Sequence, residues 1–324
     1  MRKIFLFISG FLASVVFVLA SNVLHQTSED YFLAKALGKN PLKINENLFS
    51  ANIGNQINEA QLGSCDISQI KAKSYLSLLV NQQGESKIIF EKNTEQKLPI
   101  ASVTKLLSAV VAEEFYFGDK IKISSQAVNQ LETTGELRAG EWLDKKELLK
   151  IMLIESSNDA AFALSEQFTE SGFVGLMNLK AKDLGMKNSI FFNASGLDPE
   201  DVKMQENKIN LSTANNLALL LQNILLNVPE ILEITSQKTL PLYLENGAFH
   251  HTLQSTNQLL GENPYIIGGK TGLTERALGC LVLVLKTNKQ NEYIINVLLG
   301  SLNRFSEMEI LNTCSLKKTL ELIK

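Results

Sequence analysis

The sequence predicts an α+β fold in which strands from both chain ends form one antiparallel sheet around an inserted helical block. Two short apolar runs, residues 75–80 and 87–91, flank an Asn-Gln-Gln-Gly stretch that is typical of a hairpin turn. Apolar residues then recur at helical spacing through the middle of the chain. Three more apolar runs and a closing helix follow, at residues 266–272, 279–286, 293–299 and 304–323. Because binding sites usually form in clefts, we expect the functional residues at the seam between sheet and helices.

The helical block is divided by its capping residues. Asp144 and Glu147 have the spacing of a capping box ahead of an apolar helix, and another helix is expected to start near Asn158. Residues 172–184 are expected to form a helix that ends at Gly185, because glycine readily adopts the left-handed conformation that closes a helix. Ser212 is a candidate N-cap for the leucine-rich helix that follows it.

The N-terminal segment predicts export. Residues 1–20 combine a short basic start with an almost unbroken apolar run. The run is long for a cleaved signal peptide and close to the lower limit for a membrane-spanning helix, so a signal peptide and an uncleaved anchor both stay open. Either one places the remainder at the cell envelope: the outer face of the cytoplasmic membrane, the periplasm or the cell wall. Residues 21–68 are expected to be a polar tether, and residues 69–324 the functional domain.

Charge and cysteine content exclude other classes of protein. The 31 Lys and Arg residues are balanced by 34 Asp and Glu residues, and no basic stripe indicates nucleic-acid binding. Cys65, Cys280 and Cys314 are odd in number and lack the spacing of a metal site, so at least one is free or pairs with another molecule. We expect all three to be buried thiols. Neither cysteines nor carboxylates cluster with the histidines, and no metal or other cofactor is expected.

Ser102 and Lys105 are the leading candidates for catalysis. They form an S-x-x-K pattern at the head of an apolar helix, which places both side chains on one helical face. A serine hydroxyl is a poor nucleophile at neutral pH, and a lysine amine one turn away can serve as its base. To do so Lys105 must be neutral part of the time, which requires burial or a nearby positive charge such as Lys270. An isolated S-x-x-K is usually a surface feature, but the apolar surroundings and two further motifs favour an active site.

The second motif is S-x-N, formed by Ser156 and Asn158 on a predicted loop between two helices. A serine in this place can relay a proton to a leaving amine, and the asparagine amide can hold the backbone of a substrate. An ordinary helix N-cap is the alternative, because serine and asparagine are both favoured at that position. Ser156 rather than Ser157 is assigned to the motif, because the asparagine must follow two residues later.

The third motif is K-T-G, formed by Lys270, Thr271 and Gly272 on a glycine-flanked strand. Glycine allows a substrate backbone to lie close against a strand edge, and the lysine and threonine offer a cation and a hydroxyl to a carboxylate. The backbone N–H groups of Ser102 and Leu273 are candidates for an oxyanion hole. Alone this motif is weak, since a tight strand entry with an exposed lysine has the same sequence.

Together the three motifs resemble those of the serine D-alanyl-D-alanine carboxypeptidases, the low-molecular-mass penicillin-binding proteins. Residues 99–105 are similar to the family's P-x-A-S-x-T-K, residues 192–198 to its F-x-N-x-x-G-L-D segment, and residues 212–214 to its S-T-A. The resemblance extends from about residue 70 to about residue 311. Its departures are Ser157 in place of the usual glycine and a missing histidine before Ser212, and we do not expect the further β-rich domain and C-terminal amphipathic helix of many members.

The resemblance implies a β-lactamase/transpeptidase-like fold, known also as the DD-peptidase fold. It implies removal of the terminal D-Ala from peptidoglycan stem peptides through an acyl-enzyme on Ser102, and inhibition by β-lactams that acylate the same serine. Arg304, in an Arg-Phe pair similar to one in the family, is a candidate for binding a substrate carboxylate, with a surface charge at a helix start as the alternative. An uncleaved N-terminal segment would attach this domain to the membrane.

Three other functions compete with this hypothesis. A D,D-endopeptidase that cuts peptidoglycan crosslinks would use the same bond chemistry. A serine β-lactamase needs fast deacylation, and Glu206 with Asn210 superficially fits the E-x-x-[LI]-N pattern that would supply it. An inactive scaffold would show a broken motif, and none is broken. A histidine-based triad is disfavoured, because His250 and His251 are expected to lie on a strand, alternating in and out.

Overall fold

Strands from the two chain ends do meet in one sheet. The computed structural model describes residues 62–118, 120–132, 134–199 and 208–323. The strands of this part are β1 (Ser74–Asn81), β2 (Ser86–Lys92), β3 (Leu98–Pro99), β4 (Lys120–Lys122), β5 (Trp142–Asp144), β6 (Leu211–Ser212), β7 (Thr239–Tyr243), β8 (Phe249–Gln254), β9 (Ile266–Thr274), β10 (Leu278–Lys286) and β11 (Glu292–Ser301). Its α-helices are α1 (Lys105–Phe115), α2 (Lys145–Ile154), α3 (Asn158–Ser165), α4 (Glu170–Asp183), α5 (Ala214–Asn227), α6 (Glu230–Thr235) and α7 (Arg304–Ile323).

The main sheet has five strands in the order β2-β1-β11-β10-β9. Strand β1 pairs antiparallel with β11 over its whole length, from Ser74 opposite Leu299 to Asn81 opposite Glu292. The N-terminal hairpin therefore lies directly beside the C-terminal strands, and the predicted α+β architecture is confirmed. Strand β9, which carries the K-T-G motif, is at the edge of the sheet.

Both faces of this sheet are covered, which explains why β10 and β11 are apolar at nearly every position. Because successive side chains alternate between faces, Leu281 and Leu283 of β10 pack with α7, while Val282 and Val284 pack with the helical block. Helix α5 lies on the same face as the helical block, against β11 and β1. The sheet is thus the middle layer between α7 and the helices that carry the candidate site.

Helix α1 is the centre of the helical block. Every residue from Lys105 to Ala112 is buried, and the helix packs against α2, α3 and α4. A helix that is apolar on all sides belongs inside a core, so burial here follows from composition. As a consequence Lys105, the first residue of the helix, is buried as well.

The helix ends agree with the predictions at most places. The capping box of Asp144 and Glu147 is present, α3 begins at Asn158, and Gly185 follows α4 with φ +76°. The prediction for Ser212 is wrong: Thr213 is the N-cap of α5 and accepts a hydrogen bond from Asn216 N. Ser212 still lies in β6, and its hydroxyl bonds to that of Ser189.

The prediction of three free thiols is also wrong. Cys65 and Cys314 form a disulfide across 249 residues of sequence, and only Cys280 is a free cysteine. Spacing cannot predict such a pair, because α7 must first dock on the sheet before Cys314 meets the segment that precedes β1. Cys280 is fully buried, and burial raises the pKa of its thiol to about 11.

The predicted signal peptide or anchor, and the predicted tether up to residue 61, lie outside the described residues. The last residues of the predicted tether are described: Asp66 caps the short turn Ile67–Gln69, and the Cys65 disulfide joins this segment to α7. Among the residues that the structure describes, none of the helices has the length and apolar character needed to cross a membrane.

Candidate active site

Ser102 lies in the turn that leads into α1. Residues Ala101–Thr104 form one turn of 3-10 helix, and the α-helix begins at Lys105. This tight turn brings the two motif side chains together, with Lys105 Nζ 2.8 Å from Ser102 Oγ. Ser102 is partly exposed, whereas Lys105 is fully buried. The predicted nucleophile and its predicted base are therefore in direct hydrogen-bond contact.

The Lys105 amine has two further partners. It lies 2.7 Å from Asn158 Oδ1 and 2.8 Å from the backbone oxygen of Ser195. Burial lowers the pKa of Lys105 well below its ordinary value, the positive charge of Lys270 lowers it further, and Glu132 opposes the shift. The environment thus favours the neutral amine that a base requires.

Ser156 and Asn158 lie where α2 gives way to α3. Ser156 has φ +65°, a left-handed conformation that residues other than glycine seldom adopt and that is often found at functional sites. Asn158 is the first residue of α3 and also donates to Leu131 O. Ser157 is the helix N-cap, accepting from Ala160 N and donating to Thr134 O. The sequence left helix capping and the S-x-N motif as alternatives. In the structure Ser157 is the cap, and Ser156 and Asn158 are free to form the motif.

Lys270 connects the K-T-G motif to the S-x-N motif. Its Nζ donates to Ser156 Oγ at 2.9 Å and to Thr271 O at 3.1 Å. Lys270 is buried, and burial, with a smaller contribution from the Arg304 charge, lowers the pKa of its amine to about 7. Arg304 is half-buried at the start of α7, and its Nε makes no hydrogen bond in the described structure. Its guanidinium faces the Phe305 ring at 4.7 Å from the centroid.

Gly272 is the point at which β9 meets the Ser102 turn. A Cβ added at Gly272 would lie 2.8 Å from Ile100 O and 3.2 Å from Ser102 N, so only glycine allows this approach. Leu273 follows directly, with its side chain exposed. The backbone segments that carry the two expected oxyanion-hole N–H groups are therefore adjacent. The Thr271 hydroxyl lies 2.5 Å from that of Thr256, in the segment after β8.

The motifs do not by themselves indicate the residues that support them. Asn210 donates to Thr104 Oγ1 and to Asn193 O, and so ties the Ser102 turn to the 193–196 loop. Gly196 has φ +86° and packs on Ala101 so tightly that a Cβ would overlap the Ala101 carbonyl oxygen. The F-x-N-x-x-G-L-D resemblance points to this loop, whereas Thr256 has no counterpart in any motif.

The structure therefore brings together all nine residues proposed from sequence, either in contact or within electrostatic range: Ser102, Lys105, Ser156, Asn158, Lys270, Thr271, Gly272, Leu273 and Arg304. Among the described residues, no three His, Cys, Asp or Glu side chains are grouped closely enough to hold a metal ion. The arrangement has the elements of serine acyl transfer: a nucleophile in contact with a buried amine, and a second serine in contact with a second buried amine.

Comparison with known proteins agrees with this arrangement. The sequence profile of peptidase family S11, D-alanyl-D-alanine carboxypeptidase, matches residues 59–303. D-alanyl-D-alanine carboxypeptidase DacF of Bacillus subtilis is 32% identical over 69% of this chain, a match that spans 57% of that relative's length. A D-alanyl-D-alanine endopeptidase of Pseudomonas aeruginosa is 28% identical over 66% of this chain and 67% of its own length.

A solved structure is similar in fold as well as in sequence. Penicillin-binding protein D2 of Listeria monocytogenes, determined in an ampicillin-bound form, superposes with a TM-score of 0.60 and 29% identity over 76% of this chain and 98% of its own. This similarity confirms the predicted transpeptidase-like fold. Because the family profile covers more than half of the chain, the protein belongs to the D-alanyl-D-alanine carboxypeptidase family.

Proposed function

We propose that this chain is a serine-type D-alanyl-D-alanine carboxypeptidase that removes the terminal D-Ala of peptidoglycan stem peptides through an acyl-enzyme on Ser102. The observation that carries the proposal is the fully buried Lys105 amine, 2.8 Å from Ser102 Oγ, with a pKa well below its ordinary value. Lys270 and Thr271 bind the substrate carboxylate, Asn158 positions the substrate backbone, and Arg304 adds a cation beside Lys270.

The hydrogen-bond partners of Lys105 account for its function as a base. A neutral amine has two N–H donors and one lone pair. Asn158 Oδ1 and Ser195 O can only accept hydrogen bonds, so they take both N–H groups. The lone pair is then left for the third neighbour, the Ser102 hydroxyl, which can donate. Lys105 thus accepts the Ser102 proton while Oγ bonds to the substrate carbonyl carbon.

The remaining steps use the second serine–lysine pair. The N–H groups of Ser102 and Leu273 stabilise the oxyanion of the tetrahedral intermediate. As the C–N bond breaks, Ser156 gives a proton to the leaving D-Ala nitrogen and is reprotonated by Lys270, whose pKa of about 7 suits proton exchange near neutrality. Water then attacks the ester carbonyl and gives its proton through Ser156 to Lys270, while Lys105 returns its proton to the departing Ser102 Oγ. Both lysines thereby regain their starting protonation.

The alternative activity is that of a D,D-endopeptidase. The relative from Pseudomonas aeruginosa carries that name, and the bond chemistry is the same, so the two substrates must be compared directly. A serine β-lactamase is less favoured. Glu206 lies outside the described residues, and Asn210 of the same pattern is bonded to Thr104 and Asn193 in the support of the Ser102 turn.

The proposal includes export and attachment at the cell envelope. It is supported by the basic-then-apolar residues 1–20 and by the Cys65–Cys314 disulfide, since such bonds persist mainly in oxidising compartments. Alkylation and intact-mass measurement of the protein from cell-envelope fractions tests both points. A fully reduced protein in the cytosolic fraction contradicts this part of the proposal.

The first experiment is an intact-mass time course of the full chain mixed with benzylpenicillin. Acylation adds the whole mass of the drug, because ring opening releases no fragment. We expect a lasting adduct on the wild type and on Ser125→Ala, an exposed serine used as matched control, and none on folded Ser102→Ala. An adduct that persists in Ser102→Ala refutes the assignment of the nucleophile. Release of D-Ala from a pentapeptide monomer and cleavage of a crosslinked dimer are then measured side by side.

A further inference from the structure

Two adjacent histidines on β8 have side chains that meet instead of alternating. The register with β7 passes from Leu242 opposite His251 to Tyr243 opposite Phe249, which leaves His250 as the extra residue of a β-bulge. Bulges redirect side chains, and here His250 Nδ1 lies 2.5 Å from His251 Nδ1. Both side chains are nearly buried, 7% and 6% exposed. The expectation that the pair alternates in and out is therefore wrong.

Each histidine faces a carboxylate through its other ring nitrogen. His251 Nε2 is hydrogen-bonded to Glu155 Oε2 at 3.0 Å, and His250 Nε2 lies 3.4 Å from Glu141 Oε2 without hydrogen-bond geometry. We name the four residues Glu141, His250, His251 and Glu155 the histidine clamp. It runs from the residue before β5, across β8, to the end of α2.

The hydrogen bonds of the clamp fix the orientation of the His251 ring. The short Nδ1–Nδ1 contact needs one proton, and the bond to Glu155 needs another on His251 Nε2. Because His251 is held at both ring nitrogens, it can in turn hold the Glu155 carboxylate in one place.

The clamp connects directly to the candidate active site. Glu155 immediately precedes Ser156, whose left-handed backbone must be held by its surroundings. The other Glu155 oxygen accepts from Gln254 N at 3.3 Å, and Ile154 O accepts from Thr256 N at 3.2 Å. Thr256 in turn bonds to Thr271. The segment after β8 thus links the Ser156 loop on one side to the Lys270–Thr271 strand on the other.

We propose that the histidine clamp positions Ser156 against Lys270 through the hydrogen bond between His251 and Glu155. His251 and Glu155 are positioning residues, since neither touches the reacting atoms. The inference rests on the proposed function of Ser156 and adds to it the residues that hold the second serine–lysine pair in place.

Two substitutions of one residue separate the hydrogen bond from the rest of the side chain. His251→Gln places an N–H donor where His251 Nε2 stands, whereas His251→Ala removes it. We expect His251→Ala to lower the benzylpenicillin acylation rate roughly 10- to 100-fold, the size of effect that misplacement of a reacting group produces. His251→Gln is expected to keep most of the rate, because the bond to Glu155 is kept. Glu245→Gln, an exposed residue on the same hairpin, is the matched control and should leave the rate unchanged.

Equal rates for His251→Ala and the wild type overturn the proposal, and so does an equal loss in His251→Ala and His251→Gln. If His251→Ala does not fold, ¹⁵N-histidine NMR of the wild type still tests the idea. His251 should carry a hydrogen-bonded proton on Nε2. A His251 ring with no proton on that nitrogen overturns the proposal. Absence of any acylation in the wild type is a different result, which refutes the proposed function.

Discussion

The candidate site contains two serine–lysine pairs that are built in different ways. Ser102 and Lys105 are three residues apart and are joined by one helical turn. Ser156 and Lys270 are 114 residues apart and meet only because the α2–α3 junction packs against the edge strand of the sheet. The first pair is a local structure and the second is a tertiary one. A change in domain packing can therefore disturb the second pair without affecting the first.

Both lysines are buried, but their charges are controlled differently. Burial is the larger cause of the lowered pKa in each case. The second cause is Lys270 for Lys105, and Arg304 for Lys270. The three cations form a series in which each one disfavours the charge of the next. Perturbing one member should thus change the next member in a predictable direction.

The largest effect is expected from breaking the local pair. Lys105→Gln removes the proposed base and should lower benzylpenicillin acylation about 10³- to 10⁴-fold, toward the upper end of what general base catalysis contributes. Lys182 is an exposed lysine on α4, and Lys182→Gln is the matched control that should leave the acylation rate unchanged. Acylation rates from intact mass provide the measurement. A folded Lys105→Gln protein that acylates at the rate of the control would show that another group acts as base.

Breaking the long-range pair should cost less for acylation, roughly 10²-fold for Lys270→Gln, since the proposed nucleophile and the proposed base are both still present. It should also alter the pH dependence of stability. The pKa of Lys270 is about 7 in the folded protein and ordinary, near 10.5, in the unfolded chain. Between these values the unfolded chain binds more protons, so wild-type stability rises with pH across this window.

Urea unfolding at several pH values between about 7 and about 10 tests the sign of this effect. Lys270→Gln should flatten the rise but leave the part that Lys105 contributes, because the pKa of Lys105 is lowered as well. An unchanged slope in Lys270→Gln means that Lys270 does not carry the pH dependence.

Gly272 lies where β9 contacts the Ser102 turn, and a substitution there can change that contact. A methyl group there meets Ile100 O, Ala101 Cβ and Ser102 N, so Gly272→Ala should displace the Ser102 turn and lower acylation about tenfold or more. The matched control is Gly175→Ala in α4, where a Cβ meets open space. That change should leave acylation unaltered and stabilise the helix by about 0.5–1 kcal/mol. Equal acylation by both variants would exclude a close approach at Gly272.

The smallest effect sharpens the comparison of the two lysines. Arg304→Gln removes the cation that lowers the pKa of Lys270, so the pKa of Lys270 in the folded protein should rise. The pH range in which Lys270 makes stability increase with pH should therefore begin at a higher pH. The pH at which stability begins to rise should thus increase, while the acylation rate at neutral pH changes only a few-fold, as expected for loss of one partly exposed charge. A decrease in that pH contradicts the proposed charge series.

The helical block shows how far prediction from sequence extends. The S-x-x-K contact, the Asp144–Glu147 capping box and the start of α3 at Asn158 depend on neighbours within one turn, and they were predicted. The one-residue error at Ser212 arose because Ser212 and Thr213 are both good caps. Only the backbone conformation at Thr213 decides between them.

The sequence by itself determined the candidate site residues and the architecture: three motifs in order, a hairpin and three late strands, and helices whose ends are marked by capping residues. Local spacing, apolar periodicity and turn residues are enough for these, because each depends on interactions between residues close in the chain. Only the tertiary structure decided which distant groups meet: Ser156 with Lys270, Cys65 with Cys314, and Glu155 with His251. The physical reason is that these contacts depend on the docking of whole elements and on a bulge in β8, neither of which leaves a periodic trace in the sequence.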